Sequence, residues 1–242
     1  MSTRRLVYLS LMLLGLAGTA TAQSPKLQPA LLGNARTSLI NSVDVKRLME
    51  RGQKDAVVSF TLGVNVWGYG AGLTYQGSPD SQLLSQELLD AMERSMFIPA
   101  RYDGHPAGAI INGTAVFAVS SGTPRLRIFL NQDRDHLNRG DDFVGPQWIF
   151  PLNKDTKWFD YDRYYREEAG MVSVRIDLDG SGKLQNSRVL RVHPARAPFG
   201  MEVQEHIAEI IFSPAYLNGK PVPCSTSWMI PFTGPYGGKR WL

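Results

Sequence analysis

Residues 87–117 recur 115 positions later as residues 202–232, and this self-similarity limits the chain to folds built from two like units. Phe97-Ile98-Pro99-Ala100, followed by Gly104 and Pro106, returns as Phe212-Ser213-Pro214-Ala215, followed by Gly219 and Pro221. Over the gap-free alignment 7 of 31 positions are identical, where unrelated sequences of average usage would share about two. Most of the matches fall on Phe, Pro and Gly, whose volume or backbone behaviour makes chance coincidence rarer still.

The physical pattern repeats with the letters. Ahead of each F-x-P-A motif, apolar residues return every fourth position: Leu88, Met92 and Met96, then Val203, Ile207 and Ile211. That spacing predicts a helix with one apolar stripe in each copy. Ser78-Pro79-Asp80 predicts the start of the first helix, with Ser78 as N-cap, and the proline of each motif predicts its end. Upstream in the second copy, Val172, Val174 and Ile176 alternate toward Asp179-Gly180-Ser181-Gly182, with Val189 and Val192 beyond, which predicts a hairpin. In the first copy Val58, Phe60 and Leu62 form the corresponding strand, with a looser turn over 63–72. A third strand follows each helix, over 109–119 and 224–231. The expected fold class is therefore α+β: two tandem β-β-α-β modules, each a three-stranded antiparallel sheet with a helix packed on one face. The first module spans 38–131 and the second 159–233, with a linker or loop over 132–158 and a tail over 234–242. Leu126, Ile128 and Leu130 predict one further strand before the charged stretch 131–142.

Arg4 and Arg5, the apolar run 6–16 and Ala20-Thr21-Ala22 form the charged, apolar and cleavage regions of a secretory signal peptide over 1–22, leaving a mature chain from about Gln23. The net charge of +4 is mild and its lysines and arginines are scattered among acids, so no nucleic-acid partner is expected. Cys224 is the single cysteine, and one thiol closes no internal disulfide. Asp177, Asp179 and Ser181 imitate the start of a calcium loop, but its twelfth position, where a bidentate glutamate is needed, is Arg188. His105, His136, His193 and His206 share no ligand spacing, and no nucleophile or phosphate motif stands at a strand–helix junction. The expectation is a protein with no catalytic residues, no metal and no cofactor. Trp148, Trp158, Trp228 and Trp241 either line a binding surface or fill the seam of the core.

The second copy resembles the C-terminal domain of the TonB energy-transducer family. The resemblance is carried by the G-x-V-x-V strand from Gly170, the Asp-Gly turn at 179–180, the apolar helix, the Phe-x-Pro-Ala motif and the later Gly-x-Pro, over about 160–233; residues 43–119 match more loosely. It implies a periplasmic domain that accepts an extended peptide from an envelope protein or outer-membrane receptor by β-strand addition. By position the accepting edge would be the strand holding Cys224, Thr226, Trp228 and Ile230, unless the other copy covers it. No Pro-rich tract precedes the first module, so the reading favoured is a non-catalytic periplasmic binding or adaptor protein. The alternatives are a membrane-anchored transducer with an uncleaved N-terminus, and an envelope enzyme with its site between the modules.

Overall fold

The computed structural model describes residues 27–119, 122–151 and 170–232. The expected signal segment, residues 152–169 with Trp158, and the tail with Trp241 lie outside them. Among the described residues the fold is α+β, with antiparallel pairing throughout.

The first half begins with β1 (Leu27–Gln28), two short helices α1 (Leu39–Ser42) and α2 (Val45–Glu50), and the hairpin β2 (Ala56–Val64) and β3 (Gly70–Gly77). Helix α3 (Gln82–Arg94) follows, then β4 (Ala100–Tyr102) and the long β5 (His105–Ala118). Alternation does what the sequence implies: Val58, Phe60, Leu62 and Val64 are buried on one face of β2, and α3 covers that face with Leu84, Leu88, Ala91 and Met92. Each of the larger side chains removed from water contributes about 1.5–3 kcal/mol.

Both ends of α3 differ from expectation. The helix starts after Ser81, because the Ser81 hydroxyl donates back to the Ser78 carbonyl at 2.6 Å and tightens a turn there. Its N-terminal donors are met from afar: the Gln53 side chain accepts from Leu84 N at 2.8 Å while donating to the Asp80 carbonyl. It ends at Arg94, before the proline of the motif, so Met96 leaves the stripe and forms a β-bridge with Tyr69. In the second half Ile211 likewise falls in a strand.

Beyond β5 come β6 (Arg125–Phe129), α4 (Arg134–Arg139), β7 (Phe143–Val144) and β8 (Trp148–Pro151). Residues 132–151, expected to be linker, thus carry a helix and two strands. The second half holds β9 (Gly170–Leu178), β10 (Leu184–His193), α5 (Phe199–His206), β11 (Ile211–Phe212), β12 (Ala215–Leu217), β13 (Lys220–Val222) and β14 (Cys224–Phe232). Helix α5 rests on β9 and β10 through Phe199 and Val203, over a face built from Val172, Val174, Ile176 and Leu178.

Strand order is β3-β2-β5 in the first half and β10-β9-β14 in the second. The first sheet is larger than the three strands expected. Among the described residues it has eight strands, because β1, β4, β6, β8 and β11 join it. The last of these comes from the second half: Ile211 and Phe212 pair with Ile149 and Trp148. Gln147, almost fully buried, fastens the junction. Its side chain accepts from Ala30 N at 2.7 Å and donates to Ala30 O at 2.8 Å, while its own carbonyl accepts from Ser213 N at 2.8 Å. Two apolar cores result, and Trp148 joins the second of them from the first sheet.

Candidate functional site: an open strand edge above a cleft

The edges of β5 and β14 differ. Strand β2 pairs with residues 109–117 of β5. On the opposite side of β5, β8 pairs with residues 107–110 and β6 with 114–118. Gln132, which follows β6, donates from its side chain to the carbonyls of Phe60 and Gly113, which face each other between β2 and β5. Strand β14 pairs with β9 alone among the described residues, from Cys224 opposite Leu178 to Phe232 opposite Gly170.

The phase of that edge follows from the turn before it. Asp179 N donates to the Lys183 carbonyl at 3.1 Å, so the main chain of Asp179, and by alternation of Asp177, Arg175 and Ser173, faces β10. The intervening Leu178, Ile176, Val174 and Val172 therefore face β14, opposite Cys224, Thr226, Trp228 and Ile230. Hence these four residues spend their main-chain groups on β9. Ser225, Ser227 and Met229 turn theirs outward, as does Pro231, whose missing N–H is tolerated only at such a position. Trp228 and Ile230 are buried, Cys224 and Thr226 half-buried on the same face, while Ser225, Ser227 and Met229 are exposed. The four residues picked out from sequence thus supply the core-facing side chains of the edge strand; its outward donors belong to their neighbours, which the sequence reading passed over.

Beside the half of β14 from Cys224 to Trp228 lies a cleft of about 320 Å³. Its far wall is the segment between β6 and β8. Asn131, 2% exposed, donates to the Phe143 carbonyl at 2.8 Å and shapes that wall. Asp133 caps α4 by accepting from the N–H groups of Asp135 and His136, both at 3.0 Å. His136 stacks on Phe143 with ring centroids 3.8 Å apart, and its Nδ1 lies 2.8 Å from Asp141, which also receives Arg139 at 2.8 Å. Those contacts, from His136 first, hold the Asp141 carboxyl below its usual range. Trp228 closes the floor, meeting Trp148 at 6.5 Å and Phe212 at 5.9 Å in edge-on geometry. Of the four tryptophans considered from sequence, the two in the described residues therefore pack into the seam, and Trp228 does so while also lining the cleft.

Other candidate chemistry is absorbed by structure. The Asp179 carboxylate receives the Ser181 hydroxyl and N–H and the Lys183 N–H, and its second oxygen receives Gln185. Those bonds, led by the Ser181 hydroxyl, lower its pKa and close the hairpin turn. His206 lies 3.1 Å from Glu209 and 3.5 Å from Glu202, helix-surface pairs that raise its pKa. Burial pushes the Cys224 thiol up to about 11, with nearby Asp177 and Asp133 adding to the rise. At pH 8 its alkylation by iodoacetamide should run about a hundredfold slower than that of an unhindered cysteine. A rate near the free-cysteine value would show that the thiol is neither buried nor surrounded by acids.

Comparison with protein-family models, with curated proteins and with solved structures gives no match. Among the described residues no helix is long and apolar enough to cross a membrane.

Proposed function

We propose that the chain is an exported, non-catalytic binding or adaptor protein of the periplasm, built from two TonB C-terminal-domain-like modules, and that the second module accepts an extended segment of an envelope protein or outer-membrane receptor at β14. The observation that carries this reading is the contrast between the two third strands: the chain's own β8 and β6 occupy the edge of β5, while the corresponding edge of β14 presents Ser225, Ser227 and Met229. The shared strand order supports two copies of one module. So do the paired turns, in which Asp103 and Asn218 both take positive φ (48° and 51°) ahead of Gly104 and Gly219, as type I′ hairpins require. In the first copy the added strands run antiparallel, and the partner strand is assigned the same direction on β14. Main-chain hydrogen bonds supply affinity, and alternate side chains read the cleft on one face.

Strand-forming synthetic peptides of alternating sequence, titrated into the chain and followed by amide NMR, test this. The N–H signals of Ser225, Ser227 and Met229 should shift and gain exchange protection. Ser227→Pro removes an outward donor without touching the β9 ladder, and should weaken binding at least tenfold while leaving the unfolding midpoint nearly unchanged. Undiminished binding by a folded Ser227→Pro variant would refute strand addition here.

A further inference from the structure

We infer that the segment accepted at β14 carries a lysine or arginine whose side chain crosses the cleft to Asp133. The inference rests on strand addition at β14 and names the chemistry of what is added. A strand laid on this edge puts every second side chain on the face shared by Cys224, Thr226 and Trp228, and that face opens into the cleft. Its lining is uneven in character. Trp228, Phe143, Pro146 and Pro223 make the apolar part, and among the described residues Asp133 is its one carboxylate.

Among the described residues the charge on Asp133 has no counterion. Both contacts to its Oδ1 are neutral backbone N–H groups, and among the described residues no lysine or arginine pairs with it. On the helix that Asp133 caps, Arg139 and His136 both close on Asp141 instead. The field of Asp133 reaches the edge strand, since together with Asp177 it disfavours the Cys224 thiolate. A long basic side chain fits both halves of this lining, laying its methylenes along apolar surface and its charge on the carboxylate. An acidic side chain at that position would meet Asp133 and be rejected.

The test compares three labelled peptides by fluorescence anisotropy on the full chain: an alternating strand former with a central lysine, the same peptide with glutamine, and the same with glutamate. At low salt the lysine peptide should bind about fivefold tighter than the glutamine peptide, and the glutamate peptide weaker than either. The lysine preference should vanish in Asp133→Asn, which keeps an equally good helix cap, and should shrink as ionic strength rises. Lysine and glutamine peptides binding equally well to the native chain would overturn the inference and leave strand addition standing. Failure of all three peptides would overturn both. Sedimentation covers the remaining occupant: a dimer that Ser227→Pro abolishes and the lysine peptide does not displace would assign the edge to a second copy of the chain, and also overturn the inference.

Discussion

Gly182→Ala is expected to lower the unfolding free energy by about 3 kcal/mol or more in urea titration, while Gly219→Ala costs about 1 kcal/mol. Both glycines hold the left-handed backbone, at φ +83° and +73°, so both substitutions carry the same conformational strain. They differ in what a methyl group would meet. At Gly219 nothing lies within 4 Å, whereas at Gly182 the new carbon would overlap the Phe212 carbonyl oxygen and come within 2.9 Å of Pro214 N. Those are backbone atoms, and they have nowhere to go. Phe212 is paired with Trp148, and Ser213 N is bonded to the Gln147 carbonyl. The β9–β10 turn is therefore pressed onto the Phe-Ser-Pro-Ala segment, which is itself sewn to the first sheet. Forcing them apart should loosen the second core as well as the turn. Equal costs for the two substitutions would show that the contact bears no load.

What the sequence could disclose here was local. Strands β2 and β9 were legible because their apolar residues alternate with a period of two, and the Asp179 turn because Asp and Gly at those positions leave few other conformations. The helices were legible as elements but not at their ends, since the acceptor for the Leu84 N–H at the start of α3 comes from Gln53, thirty-one residues away. The fate of the two edges was hidden for a related reason. That β8 covers β5 depends on Gln147 reaching Ala30 across 117 positions, a partnership no periodicity announces. Among the described residues the outer side of β14 pairs with no strand, but the four residues named on it from sequence have the opposite parity from its outward donors. Side-chain alternation identifies which residues face the core, whereas the direction of the main-chain groups is set by the hydrogen bond at Asp179. The far wall of the cleft was invisible, because 131–142 is polar, short of apolar residues and organised by caps.

The size of the paired side chains in the two sheets makes the second large prediction. Gly113 and Trp228 occupy equivalent positions at the 115-residue offset, and their cross-strand partners are Phe60 and Val174. Large faces small in both sheets, with the large member on opposite strands. In the first sheet the ring of Phe60, 1% exposed, lies where a side chain on Gly113 would start; an added carbon would come within 2.6 and 2.8 Å of two ring atoms. In the second, Trp228 fills that space over Val174 and reaches on to Trp148 and Phe212. Trp228→Ala should therefore cost about 3–5 kcal/mol, the usual range for emptying so large a site. Gly113→Ala should cost about 1–3 kcal/mol by overpacking. The two losses have opposite causes, and a double-mutant cycle separates them. In a Phe60→Leu background the shortened side chain makes room, so Gly113→Ala should cost at least 1 kcal/mol less than it does alone. Strict additivity would mean that Phe60 is not what holds position 113 to glycine. Because Trp228 is also the floor of the cleft, its truncation confounds binding with folding. Ser227 and Asp133 can be altered without emptying the core, and for that reason the recognition experiments rest on them.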